Sequence, residues 1–234
     1  IVTENSEVYR ILEKIVRFGN DMSYDNTLKE LEKLEKRLSM KEPLNKQYIE
    51  RQKAVTLYQK GEITTEEATQ RIKKALAYTL PFEKIKRCSE LYLTHGEMNC
   101  IQNLAYVQGT QKMNVYYKVL FDICEEYAKN NEILQNISMY EFIMTSVASV
   151  FGNIGEYGKS STLNKKIIRK CLQSRRLGMV VANIYSIAWN CKEMKGDTYS
   201  QTAWEEVLRN CATLFHIEKD YGSEKFMIEK LHNN

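Results

Sequence analysis

Proline and glycine are scarce, with 10 Gly and 2 Pro in 234 residues, less than half their usual combined share. Loop-rich and all-β folds need more turn residues than that, so the composition points to a helical protein. No uncharged stretch approaches the ~20 predominantly apolar residues of a membrane span. An excess of one charge is also missing. The net charge of +4 is too small to imply nucleic-acid binding by itself. The six cysteines, at 88, 100, 124, 171, 191 and 211, include no C-x-x-C pair and have no histidine at finger-like spacing. His95 and Cys100 are five apart, as are Cys211 and His216, which does not stack two ligands on one helix face. Reduced, mostly buried thiols and no metal are therefore expected. The opening Ile1-Val2-Thr3-Glu4-Asn5 is neither a signal peptide nor a start methionine, as expected for a piece of a longer chain.

Helical periodicity fills almost the whole sequence. Val8, Ile11, Leu12, Ile15 and Phe18 mark one amphipathic helix, and Leu28, Leu31, Leu34 and Leu38 mark a second. Pro43 interrupts the chain, and a third helix runs through Gln59. Thr64-Thr65-Glu66-Glu67 then reads as a start signal for a fourth over 65–79. Further helices are predicted at 82–93, 97–108, 112–129, 138–154, 160–175, 178–195, 198–215 and 219–231. Gly19, Gly61, Gly109, Gly155 and Gly196 are each predicted to fall between two helices. Their near-regular spacing predicts a repeated two-helix unit. The expected architecture is all-α: one domain over 1–234, a right-handed α-solenoid of about five hairpins.

The text after Gly61, Gly155 and Gly196 (a Gly, then an acidic residue, then a small residue further on) looks like a degenerate tetratricopeptide repeat. The closing proline is missing and the period is longer than the usual one. Longer segments carry a second resemblance. These are KALAYTLP at 74–81, LYLTHGEMNCIQNLAYV at 91–107, FGNIGEY at 151–157 and NIYSIAWNCKEMKGD at 183–197, with SEVYRILEKIVRFGN at the start. They resemble the C-terminal regulatory domains of Rgg/PlcR/PrgX-type transcription regulators of Gram-positive bacteria. The resemblance implies a cytoplasmic, quorum-sensing domain that forms a homodimer and binds a short signalling peptide on its concave face. It also implies DNA binding only through a helix-turn-helix domain, which is not visible in these residues.

Charge is absent from three windows, 98–111, 142–155 and 177–191, each covering the first helix of a predicted hairpin. A helix buried on most sides would explain this. Each window carries a stripe of small polar residues on one face: Asn99 and Asn103; Thr145, Ser149 and Asn153; Asn183, Ser186 and Asn190. An amide side chain can both donate to and accept from a peptide backbone without reading its sequence. These eight residues, with Tyr106, are the predicted peptide contacts. The same stripes are also what a tight helix–helix interface would use. Tyr48, Arg51 and Tyr58 fall near the same surface. Arg51 could take a ligand carboxylate, but a solvated surface position is the favoured expectation.

The other motifs carry less. Lys165, Lys166, Arg169, Lys170, Arg175 and Arg176 form a basic run that reads more readily as the wet face of an outer helix than as an acidic-partner patch. Gly152 to Ser160 resembles a phosphate loop, but five residues separate Gly152 from Gly158 where four are required, and beyond the apolar Ile143–Phe151 no strand signal surrounds it. No nucleophile elbow, H-E-x-x-H or framed Cys–His pair is present. Neither enzymatic activity nor a cofactor is expected. A tetratricopeptide-like scaffold that binds partner proteins without a switch is the alternative.

Overall fold

The computed structural model describes residues 5–85, 93–129, 139–173, 177–196, 200–218 and 220–232. Eleven helices are seen among them. They are α1 (Ser6–Asn20), α2 (Tyr24–Arg37), α3 (Pro43–Lys60), α4 (Thr65–Ala77), α5 (His95–Val107) and α6 (Val115–Lys129), then α7 (Tyr140–Asn153), α8 (Tyr157–Gln173), α9 (Leu177–Lys195), α10 (Gln201–Ile217) and α11 (Tyr221–His232). No strand occurs among the described residues. The helix predicted over 82–93 is seen only as a single 3-10 turn at 82–85, and 86–92 lie outside the described residues.

Local chemistry sets the helix starts. The Asn5 side chain accepts from the backbone N–H of Glu7 at 2.9 Å to open α1. Pro43 occupies the first turn of α3, where its missing N–H costs nothing. Thr64 accepts from the N–H of Glu67, as its start signal predicts. Thr94 and Glu97 form a reciprocal capping box that begins α5 two residues before the predicted start. Asn114, nearly buried, ties the end of α5 to the start of α6. Its Nδ2 donates to Ala105 and Gly109 carbonyls, and its Oδ1 accepts from the N–H groups of Tyr116 and Tyr117.

Four of the five punctuating glycines adopt left-handed backbone: Gly61 (φ 80°), Gly109 (φ 92°), Gly155 (φ 83°) and Gly196 (φ 53°). They close α3, α5, α7 and α9, the first helices of four successive hairpins. Gly19 is the exception. It lies inside the last turn of α1, and the left-handed residue of that turn is Met22 at φ 55°. The N–H of Ser23 reaches back to Phe18, so the turn comes three residues later than the glycine pattern predicts.

The chain forms two compact units, Ile1–Gly109 with Asn114–Ile123, and Thr110–Met113 with Cys124–Asn234. In the first, α1 packs on α2, α2 on α3, and α4 on both α3 and α5, while α3 and α5 also touch. Its core gathers Val8, Ile11, Ile15, Leu31, Leu34 and Ile49. Full burial of each such leucine or isoleucine is worth about 1.5–3 kcal/mol. In the second, α8 packs on both α7 and α9, α7 touches α9, and α10 packs on α9 and α11. Trp204, Leu208, Phe215, Val181 and Met227 form a core there. The uncharged windows fall on α5, α7 and α9, helices flanked on more than one side, where a charge would be desolvated.

Candidate functional site

The first unit contains a cleft of about 400 Å³. Leu12 of α1 and Leu44, Gln47, Tyr48 and Arg51 of α3 line one part of it, and Thr94, His95, Gly96 and Asn99 at the start of α5 line the other. Gly96 matters for space, because a Cβ there would run into the Gln47 side-chain oxygen. Gln47 is held in place by its Nε2, which donates to Thr79 Oγ1 at 2.6 Å.

Arg51 is the charged centre of this wall. The favoured expectation of a solvated position is corrected: Arg51 is only 7% exposed. The reason is tertiary. Its Nη1 donates to Asn103 Oδ1 of α5 at 2.9 Å, and its guanidinium carbon stands 5.4 Å from the centre of the Tyr48 ring. Its Nε is buried without a hydrogen-bond partner, and no carboxylate pairs with Arg51 among the described residues. Burial lowers the guanidinium's pKa, with Cys100 and Tyr48 acting the other way. Burial pushes the neighbouring Cys100 thiol up to about 12, only partly offset by Arg51. It raises Tyr48 as well. Cys100 and Tyr48 thus keep their protons and give Arg51 no counter-charge.

Two predicted contacts meet at this wall. Asn99 lines the cleft and its amide makes no hydrogen bond among the described residues. Asn103 spends its carbonyl oxygen on Arg51 and keeps its NH2 without a protein partner among them. Tyr106 is 40% exposed and stands edge-on to Tyr58, ring centres 6.1 Å apart.

The other predicted contacts lie in the second unit. Asn183 has no exposed surface. Its Nδ2 donates to Thr145 Oγ1 at 2.9 Å and to the Met179 carbonyl at 2.7 Å. Asn190 is equally buried and donates to Ser160 Oγ at 2.8 Å and Ser161 Oγ at 3.1 Å. The Oδ1 atoms of both have no partner among the described residues. Thr145, Ser149 and Ser186 are half-buried, and each hydroxyl donates to a carbonyl one turn earlier on its own helix. Asn153 is exposed and donates to the Thr110 carbonyl at 3.2 Å. The structure therefore joins Thr145 to Asn183 and places Asn183 and Asn190 between helices.

Sequence reasoning undervalued Arg51 and did not single out Gln47 or Gly96. Arg51 follows Tyr48 by three positions on α3, which is the available signal, but its partner Asn103 is 52 residues away. Two members of the basic run have partners within the fold: Lys166 pairs with Glu125 at 3.0 Å and Lys170 sits over the Tyr140 ring. Arg175 and Arg176 lie outside the described residues. At the loop resembling a phosphate loop, helix α7 precedes Gly155 where a strand would be required, and Lys159 pairs with Glu156 at 3.1 Å. The five described cysteines are free, all but Cys191 buried. No group of His, Cys, Asp or Glu among the described residues is placed to hold a metal ion. No helix among them is long and apolar enough to cross a membrane.

This geometry belongs to an all-α, tetratricopeptide-like protein built of helical hairpins. Its fold is that of Bacillus thuringiensis PlcR, solved in complex with the peptide PapR7 and DNA. The two align with a TM-score of 0.67 at 11% identity, over 97% of this chain and 76% of that chain. PlcR is of the group that the sequence resembles. No protein-family model matches the chain, and no curated protein sequence matches it.

Proposed function

We propose that this chain is the ligand-sensing and dimerisation domain of a peptide-responsive transcription regulator, cytoplasmic and without catalytic activity. The observation that carries the reading is the first unit's cleft. A buried cation and the unpaired amide of Asn99 line it, in a fold shared with a protein solved with a peptide bound. Asn99 and Asn103 are the proposed contacts to a peptide backbone, with Tyr106 offering an apolar face. In the second unit Thr145, Ser149, Asn153 and Ser186 offer the same chemistry. There Asn183 and Asn190 act as positioning residues, fixing Thr145 and the Ser160–Ser161 pair. Residues 1–234 serve in this reading as one regulatory domain. It acts on DNA through a separate helix-turn-helix, by a shift between two conformations that the peptide binds unequally.

The test is native mass spectrometry of the purified protein with a pool of short peptides. The expected result is a dimer that retains peptide, with Asn103→Ala reducing retention about tenfold while the far-ultraviolet spectrum stays helical. A folded protein that retains no peptide overturns the reading. It would favour the scaffold alternative, in which whole partner proteins bind instead.

A further inference from the structure

A buried arginine without a counter-charge needs a physical account. Removing a guanidinium from water costs several kcal/mol unless an anion or a full set of acceptors replaces the lost hydration. Arginine cannot escape by losing its proton at neutral pH. Arg51 has one acceptor, Asn103 Oδ1. Its Nε is buried without a partner and its Nη2 has none among the described residues. No nearby group among the described residues pairs with it as an anion. Glu97 turns its Oε2 to the N–H of Thr94 at 2.7 Å and the Thr94 hydroxyl at 2.9 Å and makes no ion pair with Arg51. The Cys100 thiol is held protonated by burial. The Tyr48 ring lends only its π-face.

The same side chain lines an open cleft whose opposite wall supplies the unpaired amide of Asn99. Nε is enclosed, so Nη2, which has no partner among the described residues, is the nitrogen left to meet a ligand carboxylate through a charge-assisted N–H···O bond. The contact between Nη1 and Asn103, together with the Tyr48 ring, sets the plane of the fork.

We infer that Arg51 is a carboxylate-binding subsite, with Asn103 and Tyr48 as its positioning residues, and that a ligand's carboxylate supplies the missing counter-charge. This deepens the peptide-receptor reading and rests on it. The carboxylate has two possible sources, a peptide's C-terminus or an aspartate or glutamate side chain.

The test uses three hexapeptide pools against the whole chain. One has free C-termini and no acidic side chains, one is amidated with a single aspartate, and one is amidated with no acid. Retention of either acidic pool at least about tenfold above the neutral pool supports the subsite, and the pool preferred identifies the source. Arg51→Gln is expected to bring that pool down to the neutral level. Should that variant fail to fold, the wild-type comparison decides alone. Equal retention of all three pools overturns the subsite and leaves the receptor reading standing. If no pool is retained, the receptor reading fails. The Arg51 Nε–H resonance then decides the subsite, titrated with N-acetylglycine against N-acetylglycinamide. A saturable shift with the acid alone supports the carboxylate site, and no shift overturns it.

Discussion

Asn183 shows how much a single amide does in this protein. Its NH2 group joins α9 to Thr145 of α7 from a position with no solvent exposure. Asn183→Ala removes two donated hydrogen bonds but also an acceptor that has no partner, so a loss of about 1–2 kcal/mol is expected in urea unfolding. Asn183→Asp is nearly isosteric yet cannot donate to the Met179 carbonyl and buries a charge. It should cost at least about 3 kcal/mol, and a loss no greater than that of Ala would show that the site is wetter than its burial indicates. At Arg51, replacement by Met keeps the volume of the stem and removes the cation. If burying the unpaired charge is unfavourable in the free protein, Arg51→Met raises the unfolding midpoint even as it removes carboxylate selectivity. Lower stability in that variant would mean that the bond to Asn103 outweighs the desolvation.

At the scale of the element, the hairpin turns separate two kinds of glycine. Gly155 sits at φ 83°, a conformation that an L side chain reaches at a cost of about 1–2 kcal/mol. Gly155→Ala is therefore expected to lower stability by about that amount. Gly19 has helical surroundings and open space where a Cβ would go. Gly19→Ala should be neutral or stabilising by up to about 1 kcal/mol. Met22 carries the left-handed turn that Gly19 does not, so Met22→Gly should stabilise the α1–α2 hairpin by about 1 kcal/mol. Thermal unfolding of these three variants checks the assignment, and a destabilised Gly19→Ala would reject it.

For the molecule as a whole, stability should depend on pH at the alkaline end. Free thiols titrate near 9, while burial pushes Cys100 and Cys124 up to about 12. Between those values the unfolded chain has released protons that the folded chain keeps. The folded state's advantage is fully present below pH 9 and falls as pH rises towards 12, by about 1.4 kcal/mol per pH unit for each thiol. Urea midpoints measured from pH 8 to 11 should decline accordingly, and Cys124→Ala should flatten the decline. A midpoint independent of pH over that range would show that the two thiols are not buried as the fold places them.

Helix identity was legible in the sequence because it is a local property. Apolar spacing marks α1 and α2, Thr64 and Glu67 announce the start of α4, and the regular glycine spacing locates four hairpin turns that prove left-handed. The uncharged windows likewise named α5, α7 and α9 as helices packed against more than one neighbour, with α5 and α7 largely buried and α9 mostly half-buried. Which polar side chain faces a neighbour and which faces a cleft was not legible. Asn103 and Asn183 belong to stripes that look alike in sequence. One binds Arg51 beside an open cleft and the other is wholly enclosed against Thr145. That difference depends on helices brought together from dozens of residues apart. The burial of Arg51, and with it the unpaired charge at the cleft, was decided by the tertiary packing of α3 against α5.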